Sequence, residues 1–156
     1  MKGLIPLALA CAIFASPAAA QTQPEWQIGP MEGGCSMLRL VDKDGGPAVM
    51  VNLSAKGESQ LILYLPGSGV EAGYIYTGVI QWDDKTFPVQ FLSGGEPQMP
   101  GVALEAPDDT LVRAVSRNEE LYIGIPGITD SMTFPLTGAK AASDSLRQCV
   151  TDKSGK

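Results

Sequence analysis

The chain has 156 residues, of which 44% are hydrophobic, and its 17 acidic and 11 basic side chains give a net charge of −6. This acidic balance is a poor match for nucleic acids and for anionic membrane surfaces, which bind through lysine and arginine. The chain also contains no histidine, which excludes Ser-His-Asp and Cys-His catalysis and imidazole metal sites. The sequence therefore predicts neither a cofactor nor a metal.

The first 20 residues are typical of a secretory signal peptide. Met1 and Lys2 give a short positive start, residues 3–15 are almost wholly apolar, and residues 18–20 are three alanines. Small residues at these last positions predict cleavage after Ala20. The leader carries one lysine and no acid, so its removal makes the net charge more negative by one unit.

A second interpretation of the leader concerns Cys11. It follows Ala8-Leu9-Ala10, which resembles a lipoprotein cleavage box, so lipidation of Cys11 is the alternative. The apolar run is in either case shorter than the roughly 20 residues that a spanning helix needs. We expect no membrane span and a periplasmic or secreted protein.

Two cysteines remain after the leader, Cys35 near the start and Cys149 near the end. An even number of cysteines in an oxidising compartment predicts a disulfide. Closing a loop of this length contributes roughly 5 kcal/mol in the chain-entropy model. A reactive thiolate would need a histidine, a cationic neighbour or a helix start to lower its pKa, so a structural bridge is the prediction.

Short apolar runs of β-rich composition alternate with Gly, Pro, Asp and Asn clusters through most of the mature chain, which predicts strands joined by turns. Nine strands are predicted, near residues 25–28, 35–41, 48–53, 60–65, 74–82, 87–92, 101–104, 121–125 and 132–136. Pro88 lacks a backbone donor and is expected at an edge or a bulge. Residues 61–65 are apolar on both faces apart from Tyr64, which predicts a central strand covered on two sides.

Two helices interrupt the strands. One is predicted to start at residues 107–109, where acids suit the positive end of the helix dipole. The second follows Gly138, where a helical stripe is formed by Ala139, Ala142, Leu146, Cys149 and Val150. The tail, residues 151–156, is polar and predicted to be disordered.

The predicted fold class is α+β and β-dominated. We expect one domain over residues 21–150, a small antiparallel β-sandwich or partly open barrel with two short helices. A disulfide would link the last helix to an early strand.

Pairs of adjacent acidic residues are the one kind of catalytic group that remains possible in a chain without histidine. The pairs are Asp83-Asp84, Asp108-Asp109 and Glu119-Glu120. Glycoside hydrolysis needs two carboxyls several ångströms apart across a cleft, one of them with a raised pKa. Adjacent acids in turns and helix starts are ordinarily solvated or capping residues, so a histidine-free hydrolase or lyase is the alternative function.

Tyr74, Tyr76 and Trp82 alternate along one predicted strand and so share one of its faces. Amphipathic rings suit recognition surfaces, although packing against the core is their ordinary role. These three residues are the candidates for an exposed binding stripe.

The end of the chain is a predicted strand that leads into a cysteine-bearing helix. The residues that carry this pattern are Phe134, Leu136, Gly138, Ala142, Leu146 and Cys149. With Trp26 just after the leader and the early Cys35, this layout resembles the small exported proteins of Gram-negative bacteria grouped around the invasion associated locus B family. The resemblance covers mainly the two chain ends and the general layout. It implies a non-catalytic periplasmic or surface-associated domain and supplies no active-site residues.

The sequence thus predicts an exported binding or interaction module of the bacterial envelope with no chemistry of its own. A protein or another envelope component is the kind of partner expected. Nothing in the sequence indicates the oligomeric state.

Overall fold

The structure, a computed structural model, describes residues 26–42 and 44–155. All nine predicted strands and both predicted helices form there. The strands are β1 Gln27–Met31, β2 Gly34–Leu40, β3 Ala48–Ser54, β4 Ser59–Tyr64, β5 Ile75–Trp82, β6 Lys85–Glu96, β7 Met99–Ala106, β8 Glu120–Ile125 and β9 Thr129–Pro135, and the helices are α1 Thr110–Arg117 and α2 Ala139–Ser154. The predicted leader, its cleavage site and Cys11 lie outside the described residues.

The strands form a single antiparallel sheet in the order β1-β2-β3-β4-β7-β6-β5-β8-β9. Neighbours in the sheet are also neighbours in sequence except at two junctions, β4 with β7 and β5 with β8. The sheet curls into a half-barrel. The predicted β-dominated α+β class is confirmed, in the form of a partly open barrel.

Both helices pack against one face of this sheet, which we call the inner face. α2 lies against β1, β2 and β3, and α1 lies against β3, β4 and β7. The fully buried large side chains of the core are Phe91, Phe134, Met37, Leu61, Leu63, Leu65, Ile80, Leu121, Ile123, Ile125, Leu136 and Leu146. Within the described ranges, no helix is long and apolar enough to cross a membrane.

The predicted disulfide is confirmed. Cys35 of β2 and Cys149 of α2 are bonded, with Cα atoms 6.2 Å apart and 114 positions between them in sequence. Cys35 is completely buried. The bond therefore fixes the last helix on the inner face of the second strand.

The prediction of a disordered tail is wrong for residues 151–154, because α2 continues to Ser154. The Lys153 ammonium reaches back to the first hairpin, where it donates to the carbonyls of Met31 and, at 3.2 Å, Gly34. The disulfide lies one turn earlier at Cys149. These two attachments hold a polar helix end that sequence composition alone would leave to fray.

Two donors from the beginning of the chain hold the segment that precedes α2. Trp26 Nε1 donates to the Thr137 carbonyl at 3.1 Å, and the Arg39 guanidinium donates to the same oxygen. Arg39 is only 4% exposed, and this burial lowers the pKa of its guanidinium. The shared carbonyl thus connects β2 to the entrance of α2.

Pro88 lies at a local edge, as predicted. β6 pairs with β5 along its length from Lys85 to Leu92, but it pairs with β7 only from Leu92 to Glu96. Among the described residues, the first half of β6, including Pro88, pairs with no strand on that side. A proline at this position therefore costs little stability, because no neighbouring strand needs its missing amide donor.

β4 corrects one expectation about the sheet. It is central, between β3 and β7, but only one of its faces is covered. Leu61 and Leu63 are buried in the core, whereas Ile62 and Tyr64 are half-buried on the opposite, outer face. No helix or strand in the described ranges packs over that outer face.

The start of α1 is a charged cluster that also contacts α2. Asp108 Oδ1 accepts a hydrogen bond from the Thr110 amide at 2.8 Å. Asp109 forms ion pairs with Arg113 and, at 3.4 Å, with Arg147 of α2. This acid pair therefore stabilises a helix start and a helix–helix contact.

Removing the disulfide should destabilise the fold strongly. We expect Cys35→Ala/Cys149→Ala to lose about 2–5 kcal/mol of unfolding free energy relative to the oxidised protein, since the crosslink limits the unfolded chain. Urea unfolding followed by tryptophan fluorescence measures the difference. Reduced wild type is the control and should match the variant, while equal midpoints for oxidised protein and variant would contradict the prediction.

The stability should also depend on Asp108 at acid pH. Hydrogen bonds from Thr110, followed by the positive charge of Arg113, lower the pKa of the Asp108 carboxyl. A carboxyl with a lower pKa in the folded state adds stability above its unfolded pKa, and this contribution is lost as the pH falls through the folded pKa.

We therefore expect the free energy of unfolding to fall more steeply below about pH 4 in the wild type than in Asp108→Asn. Urea titrations at several pH values between about 2 and 7 give the two curves. Parallel curves would show that this carboxyl makes no pH-dependent contribution.

Candidate functional site

The three acid pairs lie in two different places. Asp108-Asp109 belongs to the ion-paired start of α1. Asp83-Asp84 forms the turn between β5 and β6, with φ angles of 51° and 56°, and it lines a cavity of about 350 Å³ together with Glu119-Glu120. All four of these acids are exposed, whereas acid–base catalysis by carboxyl pairs uses a group sheltered from water.

The described ranges contain no group of three or more cysteine, aspartate or glutamate side chains placed to hold a metal ion. The charged cavity beside Asp83-Asp84 therefore offers solvated carboxylates without a closed ligand set.

The aromatic residues of β5 form two separate pairs. Tyr76 and Trp82 are half-buried against the core, and Tyr74, just before the strand, is 58% exposed. Tyr74 and Tyr76 have ring centroids 6.5 Å apart, and Trp82 lies 6.3 Å from Phe87. Tyr76 and Trp82 are six residues apart, about 20 Å along a strand, so a ligand would have to span that distance to contact all three candidates.

A row of apolar side chains crosses six strands on the outer face. Directly paired positions place its members side by side, in the order Leu38, Met50, Ile62, Ala103, Leu92 and Ile75. None of the six belongs to the buried core, and the exposed fraction reaches 45% at Leu92 and 62% at Ile75. We call this set the apolar row; five steps of about 4.8 Å give it a length of about 24 Å.

A groove of adjoining cavities crosses the apolar row, where it is lined by Leu38, Met50, Ile62, Ala103 and Leu92 but not by Ile75. Three cavities of about 450, 260 and 560 Å³ lie in sequence on the outer face. The first and second share Gln60 and Glu105, and the second and third share Tyr64. The floor lacks side chains where Gly94 and Gly101 pair between β6 and β7, which leaves room in the middle of the groove.

A polar row runs beside the apolar row. It contains Ser36, Asn52, Gln60 and Glu105, paired in the same register. Asn52 Nδ2 donates to Gln60 Oε1 at 2.9 Å, and Gln60 Nε2 donates to Glu105 Oε1 at 3.0 Å. Because an ionised carboxylate only accepts, Glu105 fixes the direction of both hydrogen bonds. The amide oxygen of Asn52 is then left without a partner, between Gln60 and Ser36.

This oxygen is an unpaired acceptor. Asn52 is only 9% exposed, its Oδ1 atom has no hydrogen-bond partner among the described residues, and the residue lines the 450 Å³ cavity. Leaving such a group unpaired costs about 1–3 kcal/mol. The oxygen itself is covered by protein, so the part of the polar row that is open to a ligand is the Glu105 carboxylate at its other end.

The charged residues that line the groove all have the same sign. They are Glu58, Glu96 and Glu105, and no lysine or arginine of the described chain lines any of the three cavities. Glu58 lies in the turn after β3, where its amide donates to Ser54 Oγ at 3.1 Å. The groove thus combines an apolar floor with a rim of acceptors and negative charge.

Sequence reasoning missed this groove, although a signal was present. Strands β2, β3 and β4 carry apolar side chains on both faces, but cover on two sides was predicted for residues 61–65 alone. Only two helices were predicted, and both are needed on one face of the sheet. Three strands with apolar side chains on both faces need cover on both sides, and two helices cannot supply it. This mismatch indicates an uncovered apolar surface.

The fold has a known counterpart among solved structures. The crystal structure of invasion associated protein B from Bartonella henselae superimposes with a TM-score of 0.57 at 20% sequence identity, over 82% of this chain and 95% of that chain. No family profile matches the sequence, and no curated protein matches it. The resemblance predicted from the two chain ends is therefore confirmed as a shared fold.

Proposed function

We propose that this chain is an exported binding module of the bacterial envelope, without chemistry of its own, and that the outer face of its sheet holds the partner. The observation that carries the proposal is the apolar row across six strands, which none of the described helices or strands covers. Contiguous exposed apolar surface with a polar rim is typical of interaction sites.

The disulfide supports a location in the periplasm or outside the cell. A bond between Cys35 and Cys149 persists where the surroundings are oxidising, as in the periplasm or outside the cell. The predicted leader agrees with that location. The proposed partner is accordingly another component of the envelope or of the cell exterior.

Leu92 and Phe87 provide a matched test of this surface. Both lie in β6, with exposed fractions of 45% and 40%, but Leu92 belongs to the apolar row and Phe87 packs on Trp82 of the inner face. We expect Leu92→Asp to weaken partner binding at least tenfold, because a charge would replace a desolvated apolar contact. Phe87→Asp should bind like the wild type.

The measurement is quantitative affinity capture from envelope extract with wild type and both variants, with urea unfolding as the check on folding. Support requires a partner that is retained by the wild type and Phe87→Asp and lost from Leu92→Asp. The same proteins captured equally by all three forms would refute the assignment of this face. Self-association of the wild type that Leu92→Asp abolishes would refute the proposed envelope partner, because the occupant of this face would then be a second copy.

A further inference from the structure

The chemistry of the groove restricts what can occupy it, if the outer face is the binding surface proposed above. The polar row uses its amide donors internally: Asn52 donates to Gln60, and Gln60 donates to Glu105. What remains at the surface for a ligand in the 450 Å³ cavity is the carboxylates of Glu58 and Glu105, since the unpaired Asn52 Oδ1 is itself covered. These groups accept hydrogen bonds, so the matching ligand group is a donor.

The charge of the site favours a positive donor. In the described part of the chain neither Glu58 nor Glu105 forms an ion pair, and Glu96 adds a third acid at the far end of the groove. An anionic ligand such as a fatty acid or a phosphate would meet repulsion here. A guanidinium or ammonium would gain charge-assisted hydrogen bonds.

The dimensions of the surface favour a segment over a folded partner. The apolar row is about 24 Å long, and with one row on either side the face is about 14 Å wide, an area of about 340 Å². A stable interface between two folded proteins buries about 800 Å² on each. A helix of about 16 residues has the length of the row, whereas a second copy of this chain would need a larger area.

We propose that the outer face binds a cationic amphipathic helix of an envelope partner. Its apolar side chains lie along the apolar row, and a lysine or arginine on its flank donates to the Glu105 carboxylate. The long stem of such a side chain packs on apolar surface while its charged end reaches the acidic rim. This combination uses the apolar floor and the negative charge of the rim together.

Two synthetic 16-residue helical peptides test the proposal. They share the same leucine face, and their opposite faces carry lysine in one and glutamate in the other. Isothermal titration calorimetry with the mature protein should detect binding of the lysine peptide and at least tenfold weaker binding of the glutamate peptide. Added salt should weaken the lysine peptide's binding, because part of the attraction is electrostatic.

Glu105→Gln and Glu119→Gln form the matched pair of variants. Each removes one negative charge, but Glu105 lines the groove and Glu119 lies at the unrelated cavity near β8. The glutamine oxygen in Glu105→Gln can still accept from Gln60, so the polar row stays intact. We expect Glu105→Gln to weaken the lysine peptide about tenfold and Glu119→Gln to leave it within twofold.

Leu92→Asp separates contact with the face from general attraction to an acidic protein. It adds negative charge, so non-specific binding of the lysine peptide would strengthen, whereas binding on the apolar row would weaken. Equal losses in Glu105→Gln and Glu119→Gln, or tighter binding by Leu92→Asp, would overturn the proposal.

The binding surface and its occupant are refuted by different outcomes. If Leu92→Asp abolishes capture of the envelope partner but the lysine peptide does not bind, the face stands as an interaction surface and the cationic helix is refuted. If Leu92→Asp changes neither capture nor peptide binding, both proposals are refuted.

Discussion

The bond between Cys35 and Cys149 decides which face of the sheet is buried. It fixes α2 above one face of β2, and in a strand successive side chains point to opposite faces. Cys35 and Met37 therefore enter the core, while Leu38 must point outward. Pairing in register carries this assignment from strand to strand, because a slip of one residue would exchange the two faces. The apolar row on the outer face is the consequence of the same alternation that builds the core.

Buried polar groups on the two faces have different roles, although each face leaves one buried polar atom unpaired among the described residues, Arg39 Nε on the inner face and Asn52 Oδ1 on the outer face. On the inner face, Arg39 has a backbone acceptor in Thr137, which Trp26 also uses. That contact joins an early strand to the start of α2 and so belongs to the stability of the fold. On the outer face, Asn52 has a partner for its amide donor but none among the described residues for its oxygen. The Arg39–Thr137 contact ties two parts of the fold together, whereas the row of Asn52, Gln60 and Glu105 ends in a carboxylate at the groove, where a ligand can add a hydrogen bond.

Elements that depend on local patterns could be predicted from the sequence, and relations between distant strands could not. The alternation of apolar runs with turn residues located all nine strands, and the stripe that includes Leu146 and Cys149 located α2 and the disulfide. The polar row was beyond reach, because it depends on the register that brings Asn52, Gln60 and Glu105 together from three strands. The aromatic residues of β5 show the same limit: their alternation was predictable, but the half-burial of Tyr76 and Trp82 depends on the core that other strands bring against them.

The edges of the sheet bear on how a partner can approach. A partner that adds a strand needs a free row of backbone donors and acceptors. Here β1 contains Pro30, β9 ends at Pro135, and the unpaired half of β6 contains Pro88. Prolines at edges are a common means of preventing strand addition. These three edges therefore disfavour strand addition, while residues 75–78 of β5 are a further stretch without a partner in β8 and without a proline. Recognition through side chains on the outer face needs none of these edges, because a helix lying across the strands pairs with no backbone.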